Sequence, residues 1–368
     1  MAITGEAPRQ GLLAAITEKK LLALLDGSEA ALSRSEIAQL SGISKPAISD
    51  AARRLEDAGV IRPTGTRGGR RGGVATLYQL NPDRGHSVAL AVDSTSVGAR
   101  AIRLDGTTAS EQCQQLPRAT HPDYVIRVAN EVLRSIELEC RTPLLSAAIS
   151  VADPVDPSTG DVIEVADSVF PAGHFDLGRD LALGTTDVTV DNDVNWAALA
   201  EHHVGSMQRV DDFVYAYIGA GLGAGLFLGG RLHRGSRGLA GEIGHLRRGD
   251  DSDLTRTLAR LGWADSSTGY GLNVDLATAA LTSPALSVQS LEALDALTVA
   301  LANIVTLLNS AAVVLGGPIG TIPSLVDYIS VALPRMTLDT VDVVVGQCTP
   351  LDGAAFESLR ISKVGLGF

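Results

Sequence analysis

Cysteine is scarce. Three stand in 368 residues, at Cys113, Cys140 and Cys348, none near another. That excludes a disulfide framework and suits a reducing compartment better than a secreted product. No N-terminal stretch joins a basic start to an apolar core and a small-residue cleavage site, so export is not expected. Unbroken apolar runs are missing too. Six glycines divide residues 213–230, and Asn303, Asn309, Gly316-Gly317-Pro318 and Asp327 interrupt residues 296–328. A membrane span needs about 20 continuous apolar residues; buried helix-then-strand segments are the expectation instead. Excess positive charge is also lacking: the net charge is −12, which excludes a uniformly basic coat. At 45% hydrophobic and 20% charged the chain is not disordered, and its length allows two or three domains.

The charge is unevenly placed. Residues 1–85 hold 12 Lys+Arg against 9 Asp+Glu, for +3, and the remainder carries −15. Arg62, Arg67, Arg70 and Arg71 fall within ten residues that contain no acid, which points to local phosphate contact or to a solvated loop. Apolar residues from Leu12 to Leu25 follow helical spacing over residues 10–25. Ser33 and Glu36 form a capping-box pattern that opens a second helix, Gly42 turns it, and Ser44 with Pro46 opens a third. That third helix carries Ile48, Ala51, Ala52, Leu55 and Ala58 inward and ends at Gly59.

Helix, glycine turn and capped helix is a helix-turn-helix, and two extended runs around a Gly/Arg loop add a β-hairpin wing. Ser44, Lys45, Ser49 and Arg53 are candidates for the groove-facing side, and Arg67, Arg70 and Arg71 for wing contacts. Asp50 repels phosphate; it either accepts a hydrogen bond from a cytosine amine or faces away. Helix-turn-helix folds also serve as protein-contact modules, so DNA is the preferred partner rather than the sole one.

Beyond residue 85, strands alternate with helices. Val88–Val92 leads into Asp93-Ser94-Thr95-Ser96 and a second strand. Val188-Thr189-Val190 delivers Asn192 and Asp193 to the start of a helix. Another strand runs into Gly219, Gly221, Gly223 and Gly225, followed by Gly241-Glu242-Ile243-Gly244-His245; a long helix then feeds Ala312–Leu315. Taken singly, these have bland readings: a helix cap for Asn192 and Asp193, a satisfied histidine for His245, tight hairpins for the glycines.

Together the motifs resemble the ROK family of repressors and sugar kinases over nearly the whole chain. The resemblance implies an α/β fold in which residues 1–84 form a winged helix-turn-helix. Residues 85–368 would form a two-lobed, actin-like or ribonuclease-H-like ATPase body. It also implies that Asp193 sits where the family's kinases keep a general base, with Asn192, Glu242 and His245 binding sugar hydroxyls. Asp93, Gly219, Gly221 and Gly223 would be remnants of phosphate loops. Where those kinases read Asp-x-Gly-Gly-Thr, this chain has Asp93-Ser94-Thr95-Ser96-Val97, which removes the glycines that let amides approach phosphate. After His245 no cysteine cluster follows, so no structural zinc is expected, and no cofactor.

The expectation is a cytoplasmic, non-enzymatic regulator, preferably a repressor, of carbohydrate genes. It would bind a palindromic double-stranded operator as a homodimer or dimer of dimers, with a sugar or sugar phosphate as effector. The alternatives are an ATP-dependent sugar kinase with an appended DNA-binding domain, and a ligand-blind DNA-binding dimer.

Overall fold

A computed structural model of the chain describes residues 7–68, 74–117, 121–163, 165, 177–184, 187–247, 252–264 and 271–368. The N-terminal unit contains α1 (Ala7–Asp26), β1 (Leu32–Ser33), α2 (Arg34–Ser41), α3 (Lys45–Asp57), β2 (Ile61–Gly68) and β3 (Val74–Leu80), with sheet order β1-β3-β2. The capping box forms as the sequence predicts: the Ser33 hydroxyl accepts from the Glu36 amide, and the Glu36 carboxylate accepts from the Ser33 amide. Gly42 ends α2 in the left-handed region (φ 70°), which a side chain would strain. Leu21, Leu22, Leu25, Ile37, Ile48 and Leu55 then pack with Tyr78 and Leu80.

Three local expectations differ. Leu12, Leu13 and Ile16 are more than half exposed, because the first half of α1 runs beyond the core that its second half covers. Ala58 is exposed as the C-cap of α3. Ser44 occupies the N-cap of α3, but its hydroxyl makes no capping hydrogen bond. Pro46 removes one of the two amides that such a cap satisfies.

A 3-10 turn (Pro82–Arg84) leads to the first lobe of the body: β4 (His86–Val92), β5 (Ser96–Arg103), β6 (Thr108–Gln115), α4 (Pro122–Cys140), β7 (Leu144–Val151), α5 (Leu177–Asp180), β8 (Asp187–Asn192) and α6 (Asp193–His203). The sheet order is β6-β5-β4-β7-β8, antiparallel through the hairpins and parallel from β4 to β8. Val125, Val128, Val132 and Ile136 of α4 seal one face against Val88, Leu90 and Ile149. Burial on both faces explains why β4 is a continuous apolar run rather than an alternating one.

The second lobe repeats the plan: β9 (Phe213–Ile218), β10 (Leu222–Leu228), β11 (Arg231–His233), α7 (Leu254–Leu258), α8 (Val274–Leu281), α9 (Val288–Leu308), β12 (Ala312–Gly316), α10 (Gly317–Gly320), α11 (Pro323–Ala332), β13 (Asp342–Val345) and α12 (Pro350–Gly365), with sheet order β11-β10-β9-β12-β13. Helix α9 is long and apolar enough to cross a membrane, yet half of that stretch is inside this lobe, where Leu294, Leu297 and Leu301 join the core.

Helix α12 returns to the first lobe and covers its other face. The contact is made of small residues, Ala354 and Ala355 against Ala89 and Ala148, with the Trp196 ring beside them. A Cβ on Gly353 would lie 1.9 Å from the Trp196 carbonyl oxygen, so glycine sets the approach of α12 to α6. Ser146 donates to the Ser358 carbonyl at 2.5 Å in the same buried layer. Beyond the helix, Leu366 and Phe368 pack onto the winged-helix core, and Lys363 Nζ meets Asp26 at 2.5 Å.

Candidate functional site

Two surfaces gather the singled-out residues. On α3, Ile48, Ala51, Ala52 and Leu55 face the core. Helical spacing therefore turns Lys45, Ser49 and Arg53 outward; Ser44, Lys45 and Arg53 are exposed and Ser49 is half-buried. Asp50 is also exposed, with a carboxylate oxygen 4.0 Å from Arg53, so its charge is partly answered within the helix. Other arginines of this unit are held internally: Arg54 by Glu18 at 2.5 Å, Arg62 by Asp83 at 2.7 Å, and Arg34 against the Tyr78 hydroxyl. Arg67, at the end of β2, meets Glu36 of α2 at 2.6 Å, which ties the wing to the helix-turn-helix. Arg70 and Arg71 lie outside the described residues.

Between the two lobes of the body opens a cavity of about 650 Å³. The first lobe contributes the β4–β5 loop, the end of β7 and the start of α6. The second contributes the β9–β10 hairpin and the turn carrying Glu242 and His245. Asn192, Asp193, Glu242 and His245, far apart in sequence, all line it. Asn192 is also the cap of α6: its side-chain oxygen accepts from the Val194 amide at 3.0 Å, and its Nδ2 donates to the Asp153 carbonyl at 3.2 Å. Cap and site residue are thus one role. Just before it, buried Asp191 accepts from Arg234 Nε at 2.6 Å and from Asn195 Nδ2 at 2.8 Å, fixing the strand end that presents the pair.

Two of the cavity carboxyls hold protons unusually well. Burial pushes Asp193 up to about 7, opposed by the Val194 amide and reinforced by the charges of Asp93, Glu242 and Asp153. Glu242 is also pushed up to about 7, by burial and then by Asp153. Near neutral pH such groups both donate and accept hydrogen bonds, which suits sugar hydroxyls. Asp153 is the residue that sequence reasoning did not place in the site. Its signal was an acid two residues past the end of the apolar strand β7. Arg100 was missed as well: it lines the cavity from β5, paired with Glu111 at 2.6 Å and Asp352 at 2.7 Å.

The phosphate-loop residues behave differently. Asp93 Oδ1 accepts from the Thr95 amide at 2.6 Å, the Thr95 hydroxyl at 2.6 Å and the Ser96 amide at 2.8 Å, while Oδ2 accepts from the Ser96 hydroxyl at 2.9 Å. The amides and hydroxyls of Thr95 and Ser96 are thus spent on the loop's own carboxylate. Gly221 and Gly223 line the cavity, and Gly219 is not among its lining residues. A Cβ on Gly223 would meet Val194 at 2.9 Å and one on Gly225 would meet Ala198 at 2.5 Å, so these glycines admit α6 against β10. As for zinc, Cys113 on β6 lines the cavity, while Cys140 at the end of α4 and Cys348 before α12 do not. Among the described residues no group of three or more His, Cys, Asp or Glu is placed to hold a metal ion.

Two stretches of the chain match known families. Residues 89–255 match the ROK family and residues 15–72 match the MarR family. The xylose repressor of Caldicellulosiruptor bescii is 25% identical over 228 residues, 58% of this chain and 54% of the repressor. The chain thus spans about half the length of the curated repressors it matches. Among solved structures, a ROK family transcriptional regulator described as a homolog of the Escherichia coli MLC protein superposes with a TM-score of 0.68 at 20% identity, covering 96% of this chain and 98% of that one. A ROK hexokinase from Thermus thermophilus covers 76% of this chain and all of its own, with a TM-score of 0.59 and 24% identity. At these identities the structures speak for the fold alone.

Proposed function

We propose that this chain, a ROK body joined to a MarR-type winged helix, is an effector-responsive, sequence-specific DNA-binding regulator of carbohydrate genes. It acts in the cytoplasm as a repressor, with residues 1–84 contacting DNA and residues 85–368 sensing the effector and dimerising. The observation that carries this reading is the contrast inside the cavity. The polyol-facing residues Asn192, Asp193, Glu242 and His245 converge, while Asp93 fills the Thr95 and Ser96 amides of the β4–β5 loop. Phosphoryl transfer depends mainly on positioning and charge stabilisation of phosphate, and a loop closed on an internal carboxylate offers neither. This supports a body that does not act as a kinase.

Paired operator half-sites require a two-fold protein, hence a homodimer. The route from cavity to DNA runs through two helices. α6 starts at Asp193 in the cavity, and its buried Glu201 accepts from the amides of Gln347 at 2.5 Å and Cys348 at 2.8 Å, which lead into α12. α12 ends against the winged helix. A ligand that favours one lobe arrangement shifts α6 and α12 together and changes the spacing of two winged helices. The test is fluorescence anisotropy of upstream duplex at fixed salt, with and without sugars, beside an ATP-turnover assay. Saturable binding shifted by a sugar without turnover is expected. Turnover would establish the kinase, and DNA binding indifferent to every sugar would favour a ligand-blind dimer.

A further inference from the structure

Building on the reading of the cavity as the effector site, the chemistry of that effector can be narrowed. Five carboxyl-bearing side chains, Asp93, Glu111, Asp153, Asp193 and Glu242, line one cavity. Among its described lining residues Arg100 is the one lysine or arginine, and its guanidinium already bridges Glu111 and Asp352. At the β4–β5 turn, where an anion would seek backbone N–H groups, the Asp93 carboxylate takes the amides of both Thr95 and Ser96 and both of their hydroxyls. We propose that Asp93 is the cavity's resident anion, filling the first phosphate loop from within, so that the site takes an unphosphorylated polyol and rejects sugar phosphates and nucleoside phosphates.

The physical reason is twofold. A phosphate ester carries nearly two negative charges near neutral pH. Placed beside Asp93 and Asp193 it would meet like charge in a partly desolvated site, and it would find the Thr95 and Ser96 donors of the loop occupied. A neutral hydroxyl meets neither obstacle, because carboxyls accept from it and, when protonated, donate to it. Asp93 is thus a specificity-determining residue whose effect falls on the ligand's charge rather than on its ring.

The experiment is isothermal titration of the full-length protein at pH 7.5 with matched pairs: glucose and glucose 6-phosphate, N-acetylglucosamine and its 6-phosphate, xylose and xylose 5-phosphate, with ATP alongside. For any sugar that binds, its phosphate is expected to bind at least 30-fold more weakly. Asp93→Ala, which vacates the loop amides, is expected to narrow that ratio about tenfold. Asp93→Asn keeps one acceptor oxygen for the loop while removing the charge; it should narrow the ratio less, and it guards against a loop that fails to form. A phosphate that binds the wild type as tightly as its parent sugar overturns this inference and leaves the regulator reading intact. A ratio unmoved by either variant removes Asp93 from it. If no member of any pair binds, the effector reading of the cavity falls, and this inference with it.

Discussion

The two lobes of the body share one strand order, in which the first strand is central, the next two extend the sheet to one edge as hairpins, and the last two extend it in parallel to the other. Their first hairpins nevertheless solve different problems. In the first lobe, Gly98 of β5 has only the Gln112 carbonyl and the Leu351 side chain near its would-be Cβ, at 3.9 and 4.0 Å. The turn before it is closed by Asp93. In the second lobe, Gly223 and Gly225 of β10 lie under α6, and a Cβ would strike Val194 or Ala198. Glycine enrichment alone therefore does not identify a phosphate loop. In one lobe an acid fills the turn; in the other, glycines stand where a helix must approach the sheet.

The sharpest way to break this comparison is to add one methyl group to each lobe. Gly225→Ala places a Cβ 2.5 Å from the Ala198 Cβ and 2.9 Å from the Val194 carbonyl oxygen, with backbone on one side and no flexible side chain to yield. Overpacking of this kind costs about 1–3 kcal/mol and occasionally more; a loss of about 3 kcal/mol in denaturant unfolding is expected. Gly98→Ala meets ordinary van der Waals distances and is expected to change stability by less than about 0.5 kcal/mol. Equal losses would mean that the two hairpins are not differently packed.

The next effect separates the Asp193 end of the cavity from the rest of the protein. A carboxyl whose folded-state value is raised contributes stability that is present below its unfolded value and lost as pH rises through the folded one. For Asp193, raised by burial from 3.8 to about 7, the loss falls between about pH 4 and pH 7. Over pH 5 to 7 it amounts to roughly 2 kcal/mol. Buried His86, whose value is lowered by burial, acts in the opposite sense in part of this range. The informative quantity is thus the difference between wild type and Asp193→Asn, measured by urea unfolding at pH 5 and pH 7. The variant should lack that 2 kcal/mol decline. Parallel pH profiles would mean that Asp193 is an ordinary carboxylate.

Much of this was legible before any coordinates. The Ser33–Glu36 box, the Asn192–Asp193 strand-to-helix junction and the Glu242–His245 turn are short-range patterns whose local chemistry survives folding. What was not legible depends on distant partners. Leu12, Leu13 and Ile16 have helical spacing, but spacing does not say where the core ends. Asp93 reads as a loop acid until its carboxylate is seen taking the Thr95 and Ser96 donors. Asp153 and Arg100 join the site only because the two lobes face each other. The second-lobe glycines are explained by α6, which precedes them in sequence and is built on the other sheet.

On the DNA side, Arg54 and Arg62 are set beside the sequence run that holds Arg70 and Arg71. Arg54 and Arg62 have carboxylate partners at 2.5 and 2.7 Å, whereas Arg70 and Arg71 stand in a run without acids. Replacing both of the latter with alanine is expected to weaken operator binding about tenfold and to lower the salt-dependence slope by about 2, if each releases one counterion. Anisotropy titrations over a salt series read both numbers. An unchanged slope would remove the wing from DNA contact.

The smallest expected effect on stability tests the joint between body and winged helix. Lys363 and Asp26 meet at 2.5 Å across 337 residues of chain, both partly exposed. Such a pair is worth only about 0.2–1 kcal/mol, so Lys363→Ala should leave the unfolding midpoint nearly unchanged. Its effect on signalling should be larger than its effect on folding. If α12 transmits cavity occupancy, loosening its last turn from α1 weakens the coupling between effector and operator without altering either affinity measured alone. That coupling is a free energy and is reciprocal, so it can be read as the shift in sugar affinity caused by DNA as well as the reverse. A Lys363→Ala protein with both affinities intact and a smaller mutual shift would place the signal in this contact. An unchanged shift would leave Leu366 and Phe368, which pack onto the winged-helix core beside it, as the part of the joint that carries the load.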